Sequence, residues 1–336
     1  MKLKEILVFG ASGQIGRHLI RKLTKNNYKV IAVTRNIHQK GYILKTQANP
    51  GYLEIVELNH FDIEKIKNLL ERSSICINLI GILYEKRKNF FKTIHTDFPD
   101  LLSKLSFEKN IEKLIHLSSL GIEKSLDSKY AISKLSGEKK IKNNFDRAII
   151  LKPSVVYSVD DNFTTSFMTL LNRLPIMPLY YEGKTKFTPI HVSDLTQIIY
   201  EVVKGKTKEK TIECIGPEVL SFKEIILKLL KAIDKKRLLI PLPMTIAKMT
   251  AKIFEILPNP LITIDQLKLL KYDNISSGKY KTNFDLGLAA NRIFDEEIDK
   301  YSFNWRSGGQ FSRDKFSKIK YFHIYSLLYL HQAFLS

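Results

Sequence analysis

The chain reads as an α/β protein whose parallel sheet is doubly wound, with a smaller loop- and helix-rich region behind it. Three observations predict this. Apolar, β-branched runs alternate with amphipathic stripes at helical spacing from Glu5 to Lys152. A glycine-spaced turn, Gly10-Ala11-Ser12-Gly13-Gln14-Ile15-Gly16, joins the first run to the first stripe. Tyr130 and Lys134 then fall one helical turn apart, after the fifth run.

Each element has its own signal. Glu5 to Phe9 is a short apolar strand, and Ile15, Leu19, Ile20 and Leu23 recur on one helix face. Lys29 to Thr34 is a second strand and Tyr52 to Leu58 a third, followed by a helix marked by Ile66, Leu69 and Leu70. Ser74 to Ile80 is almost continuously apolar, as in a strand covered on both faces. A helix about Asp97 to Lys109, a strand within Ile111 to Ser118, a helix from Lys129 to Asn143 and a strand from Arg147 to Lys152 complete a Rossmann-type domain over residues 1–155. Beyond Pro153, the prolines 175, 178 and 189 punctuate a looser stretch. Ser193 to Val203 reads as a helix and Lys210 to Ile215 as a strand, so residues 190–216 are expected to return to the first domain. That leaves 156–189 and 217–303 as the smaller region, with Pro241 to Tyr272 helical in two pieces broken at Pro258-Asn259-Pro260. Residues 304–336 read as a flexible basic arm ending in an uncharged aromatic tail from Tyr321.

Composition narrows the partners. Lys and Arg total 54 against 34 Asp and Glu, a formal charge of +20 among 336 residues. Such an excess invites an acidic partner. The lysines are nevertheless spread along the chain without a basic block, and no zinc-finger, RRM or KH signature appears, so nucleic acid is not expected. Cys76 and Cys214 each sit in an apolar run, which suits buried thiols in a reducing compartment. His60, His95, His116 and His191 lack metal-ligand spacing, and His116 alternates with apolar residues as a core histidine does. No apolar run reaches the roughly 20 residues of a bilayer span, and the first strand begins too close to Met1 to leave room for a signal peptide. A cytoplasmic protein, peripheral at the inner face of a membrane, is expected.

The glycine turn points to a dinucleotide. Gly10 permits the tight turn, Gly13 lets backbone N–H groups approach a pyrophosphate, and Gly16 lets the helix pack on the strand. Ser12, Gln14 and Ile15 lie in the same turn and helix N-terminus, where partial positive charge favours phosphate. Leu79-Ile80-Gly81 ends the fourth strand and is expected along the cofactor. The second strand ends in Arg35, where NAD-preferring folds carry a carboxylate; an arginine there can pair with a 2′-phosphate, and Arg17 is a second candidate. NADP(H) is therefore favoured over NAD(H). Tyr130 and Lys134 share a helix face, where an ammonium is expected to lower the pKa of the phenol and let it pass a proton to a carbonyl oxygen. Ser118-Ser119 ends the fifth strand, and Ser119 is the candidate third member of a catalytic set.

In this order the features resemble the extended and atypical short-chain dehydrogenase/reductase family over about residues 3–300. The resemblance implies that Asp62-Ile63 holds the adenine, that Pro153 lies against the cofactor, and that Asp194, in Pro189-Ile190-His191-Val192-Ser193-Asp194, caps the next helix. A narrower likeness lies in Ile77-Asn78-Leu79-Ile80-Gly81, Lys113 to Ser118, Ile150-Leu151-Lys152-Pro153-Ser154, Ile240-Pro241-Leu242-Pro243 and Phe254-Glu255-Ile256-Leu257-Pro258. These resemble the NADPH-binding accessory subunit of respiratory complex I. That implies a structural nucleotide, a place on the peripheral arm and contact with a membrane surface. The mitochondrial subunit lacks the serine matching Ser119, whereas Ser119, Tyr130 and Lys134 are all present here. An active NAD(P)-dependent reductase or nucleotide-sugar epimerase-like enzyme remains the alternative. The stretch Met244 to Leu257 is mostly apolar around Lys248, Lys252 and Glu255, so it is either buried in the domain, the favoured expectation, or laid against a partner or membrane interface.

Overall fold

The computed structural model describes residues 5–255, 260 and 262–309. Most of the predicted Pro258-Asn259-Pro260 break, and residues 310–336 with the aromatic tail, lie outside them.

Seven parallel strands form the central sheet, in the order Thr211–Cys214, Ala148–Pro153, Lys113–Leu117, Ile75–Asn78, Glu5–Phe9, Lys29–Thr34, Leu53–Glu57. β1 (Glu5–Phe9) leads through the glycine turn into α1 (Gln14–Lys25), then β2 (Lys29–Thr34), α2 (Ile37–Lys45), β3 (Leu53–Glu57), α3 (Ile63–Glu71) and β4 (Ile75–Asn78). One helical turn, α4 (Phe90–Lys92), passes through a π-turn (Thr93–Asp97) into α5 (Phe98–Glu108), followed by β5 (Lys113–Leu117), α6 (Lys129–Asn144) and β6 (Ala148–Pro153). Alternation along β1 sends Ile6 and Val8 to one face, against Leu19, Ile20, Ile199 and Val202. It sends Leu7 and Phe9 to the other, against Ile66, Leu70, Phe98 and Leu102. The strand order reverses between β1 and β4, which places a crevice beyond their carboxyl ends.

Beyond β6 come β7 (Val156–Tyr157), α7 (Thr164–Arg173), β8 (Ile176–Leu179), β9 (Lys186–Phe187), β10 (Ile190–His191), α8 (Val192–Val203) and β11 (Thr211–Cys214). β11 pairs with β6, and α8 supplies Leu195, Ile198, Ile199 and Val202 to the core shared with α1. Next are β12 (Leu220–Ser221), α9 (Phe222–Ala232), β13 (Leu238–Pro241), α10 (Met244–Phe254), α11 (Ile264–Leu269) and α12 (Phe294–Asp299). Met168, Leu171, Phe222, Ile225, Leu229, Phe294 and Ile298 form this region's own core.

The Met244–Leu257 expectation is corrected where it can be tested. Along α10, Ala247 and Ala251 are buried, while Ile246, Met249 and Ile253 are 47%, 67% and 62% exposed. Small side chains let one face of the helix lie close to Tyr180, Ile262 and Leu267; the larger apolar residues project from the other.

Candidate functional site

The phosphate turn is built for an anion. Gly10 has φ +78°, in the left-handed region, and a Cβ on it would lie 3.0 Å from the Leu79 carbonyl carbon. A Cβ on Gly16 would meet the carbonyl oxygens of Gly10 and Ala11 at 2.5 Å, so α1 packs on the turn only because this residue is glycine. Gly13 is the N-cap of α1, offers no side chain to the helix donors, and the first turn carries no acid. The helix end is therefore left with open N–H groups and uncancelled positive charge, which fits a phosphate group. Thr34 donates to the Ser12 hydroxyl at 3.3 Å, tying the end of β2 to this turn.

The first turn of α1 is clipped to the loop after β7. Gln14 Nε2 donates to Ser158 Oγ at 2.8 Å, and Ser158 Oγ to Asp160 Oδ1 at 2.5 Å. Arg17 donates to the Ser12 carbonyl at 2.9 Å and forms an ion pair with Asp160. Burial alone would raise the Asp160 carboxyl, but hydrogen bonds from His18, Ser158 and Arg17 hold it well below the carboxylate range. Arg17 is thus engaged by a carboxylate. Arg35 stands exposed at the end of β2, with no hydrogen-bond or ion-pair partner among the described residues. Asp62 caps α3, accepting from Lys65 N at 3.1 Å, beside a cleft of ≈ 390 Å³ lined by Glu57, Leu58, Asn59, His60, Asp62 and Lys65. Ile63 follows it, 46% exposed.

Ser119, Tyr130 and Lys134 are brought together. Ser119 lies near enough to the Tyr130 phenol to bear on its protonation. Lys134 Nζ donates to the Leu117 carbonyl at 3.1 Å, lies 5.8 Å from the Tyr130 ring centre, and sits 3.5 Å from where a Gly81 Cβ would be. Burial lowers the Lys134 ammonium to about 8, against the opposing pull of Glu138. The expected depression of the phenol is corrected: burial pushes Tyr130 above its ordinary value, Ser119 pulls it down, and Asp265 pushes it up again. Desolvation of the phenolate is the largest of these effects.

Sequence reasoning missed the framework around these groups. Asn78 Nδ2 lies 3.1 Å from His116 Nδ1 while its Oδ1 accepts from Ile80 N at 3.1 Å, which fixes the path of Leu79 and Ile80. Burial lowers His116 to about 3 and His95 to about 2. His95 Nε2 accepts from Ile82 N at 3.1 Å, and its Nδ1 lies 3.0 Å from Ser133 Oγ, which itself donates to the Tyr130 carbonyl at 2.8 Å. The proton of His95 is thereby assigned to Nδ1. Ser118 Oγ donates to Glu138 Oε1 at 2.5 Å, and Lys152, fully buried, pairs with Glu138 at 3.0 Å and with Glu123. The Pro153 carbonyl accepts from Leu120 N at 2.9 Å, joining the ends of β5 and β6 beside Ser119. A lysine inside the apolar strand Ala148–Pro153 was the available signal for a buried acidic partner.

The C-terminal region reaches back over the site. Asp265 accepts from Ser128 Oγ at 2.8 Å, Lys129 N at 2.7 Å and Tyr130 N at 3.0 Å. Asn274 donates to the Leu120 carbonyl at 2.7 Å and accepts from Ser154 Oγ at 2.6 Å. Asp194 does not cap α8. His191 Nδ1 accepts from Ser193 N at 3.3 Å instead, and Asp194, in the first turn, takes Arg292 N at 3.1 Å.

A family model described as the NAD dependent epimerase/dehydratase family matches residues 6–214. The mitochondrial NADH dehydrogenase (ubiquinone) 1 alpha subcomplex subunit 9 of Arabidopsis thaliana is 27% identical over 314 residues, spanning 90% of this chain and 78% of that protein. The mitochondrial NADH-ubiquinone oxidoreductase 40 kDa subunit of Neurospora crassa is 24% identical over 283 residues, spanning 84% of this chain and 74% of that one. Among solved structures, a UDP-glucose 4-epimerase from Thermotoga maritima with UDP-glucose superposes with a TM-score of 0.67 at 16% identity, over 89% of this chain and 97% of that one, a likeness of fold.

Proposed function

The chain belongs to the NAD dependent epimerase/dehydratase family, and on that premise we propose that it binds NADP(H) as a structural nucleotide in association with respiratory complex I. One observation carries the reading: the likeness to the Arabidopsis thaliana subunit extends over 90% of the chain, well past the residues 6–214 that the family shares. The open N–H groups of α1 take the pyrophosphate, Leu79-Ile80-Gly81 runs along the dinucleotide, and the cleft beside Asp62 takes the adenine. Lys134 donates to the nicotinamide ribose hydroxyls. The exposed face of α10 with Ile246, Met249 and Ile253 is the surface assigned to the peripheral arm, at the inner face of the membrane. No helix among the described residues is long and apolar enough to cross a membrane.

A nucleotide held by the native state alone stabilises it by mass action. Purified protein, denatured and analysed by chromatography and mass, is expected to release stoichiometric NADPH, and the chain is expected to migrate with intact complex I in native gels of solubilised membranes. An empty protein that never co-migrates with the complex would defeat both halves. The convergence of Ser119, Tyr130 and Lys134 favours a second reading, a reductase in which Tyr130 would pass the proton and a bound NADPH would supply hydride.

Nucleotide preference separates the two arginines. Arg35→Ser is expected to weaken NADPH binding by about tenfold to a hundredfold, the worth of a charged hydrogen bond, and to leave NADH binding unchanged. Arg17→Ser is expected to loosen the Asp160 clip without altering that ratio. Competitive titration of each variant with both nucleotides checks this; a ratio set by Arg17 would overturn the assignment.

A further inference from the structure

The Tyr130 ring is walled in. Tyr130 is 8% exposed. Phe91 meets the ring edge-on at 5.8 Å and His95 at 5.2 Å. Ile122 completes the buried cluster, with Ile82 and Leu269 packed against it. Leu269 comes from α11, far along the chain from the rest of this wall. Its helix is strapped down by polar groups. The Asp265 carboxylate collects the Ser128 hydroxyl and the Lys129 and Tyr130 amides, two of the donors that α6 leaves open at its start. Lys268 Nζ donates to the Asp127 carbonyl at 2.8 Å. Between this strap and the rest of the region, Glu255 Oε1 accepts from Ile264 N at 2.8 Å, so α10 and α11 are tied end to end.

We propose that α11 is a lid on the Tyr130 site, latched by Asp265, and that the site reduces a small uncharged carbonyl compound only when the latch is open. The proposal rests on the nucleotide reading above. Phe91, Ile122 and Leu269 carry no charge, which selects an uncharged substrate. With α11 lifted, a carbonyl oxygen takes hydrogen bonds from Ser119 and Tyr130. A bound NADPH would supply hydride, with its electron pair, to the carbonyl carbon. The phenolic proton passes to the carbonyl oxygen, giving an alcohol and NADP⁺, and the Tyr130 phenolate regains a proton from solvent.

The test uses the full chain with NADPH and two openings of the lid. Asp265→Asn cuts the charge of the latch, and Leu269→Ala thins the wall while leaving the latch in place. In Asp265→Asn, amide exchange at residues 128–131 and 264–270 is expected to rise together by at least about tenfold, with strands β1 and β4 unchanged. NADPH consumption with 4-nitrobenzaldehyde is expected in both variants, absent from the unaltered protein, and lost again when Tyr130→Phe is added. Exchange in α11 that does not respond to Asp265→Asn overturns the lid. So does aldehyde reduction that is equally fast, or equally absent, in the unaltered protein and both variants. Should Asp265→Asn fail to fold, Leu269→Ala decides alone. The exchange measurement is made without nucleotide as well, so a protein that binds no NADPH refutes the nucleotide reading while the latch is still read.

Discussion

Gly137→Ala is expected to lower the thermal unfolding midpoint by about 4–8 °C, at about 2–4 °C per kcal/mol for a domain of this size. A Cβ at this position would lie 1.9 Å from the His95 carbonyl oxygen and 3.1 Å from its carbon. Two effects oppose each other. Alanine in a helix interior gains up to about 1 kcal/mol over glycine. Overpacking costs about 1–3 kcal/mol, and here the obstacle is backbone in the π-turn Thr93–Asp97, which no side-chain rotation relieves. The clash wins, leaving a net loss of about 2 kcal/mol. Because Tyr130 and Lys134 ride on the same helix, nucleotide binding should weaken in parallel. A melt within 1 °C of the unaltered protein would show that α6 does not rest on this turn as described.

NADPH affinity is expected to fall as pH rises above about 8, the value to which burial lowers Lys134. In the proposed site the ammonium form is the donor to the ribose hydroxyls, so affinity should drop by up to about tenfold per pH unit beyond that point. Free-protein stability runs the other way. Unfolded, the lysine holds its proton to about 10.4, so between about 8 and 10.4 the unfolded chain binds more protons. In that window this group makes stability rise with pH, since the penalty of the buried charge is full below the folded value and is relieved above it. The groups around it do not confuse the profile: His95 and His116 are held at about 2 and about 3, and Tyr130 is raised. Binding titrations from pH 6.5 to 9.5 test the slope, and Lys134→Met should flatten it. A flat profile in the unaltered protein would remove Lys134 from the ribose.

The sheet was legible because most of its strands are buried on both faces and leave apolar runs. Helix α2 was not: only Gly41 and Leu44 are buried in it, so it lacks a stripe, and its signal was the Asn36 cap, which accepts from Gln39 N at 2.9 Å. Helix α9 was missed although Ser221 and Glu224 form a capping box before Ile225, Ile226 and Leu229. Tyr130 and Lys134 were legible because helical spacing puts them on one face, and Ser119 because it follows the fifth strand. Asp265 was not, since its partners lie some 135 positions away and no local pattern marks a cap supplied from elsewhere. The burial of α10 was misjudged because an apolar face looks the same in sequence whether or not something covers it.

That distance also sets a timetable. A ribosome adds about 5–20 residues each second. Ser128 and Tyr130 therefore emerge about 7–27 s before the carboxylate that joins them, the 135-residue separation divided by that rate. Strand β11, which completes the sheet, arrives in the same interval. The nascent nucleotide domain spends the first part of this time with β6 unpaired on its outer edge, and all of it with the Lys129 and Tyr130 amides lacking their Asp265 acceptor, the period in which a chaperone has most to protect.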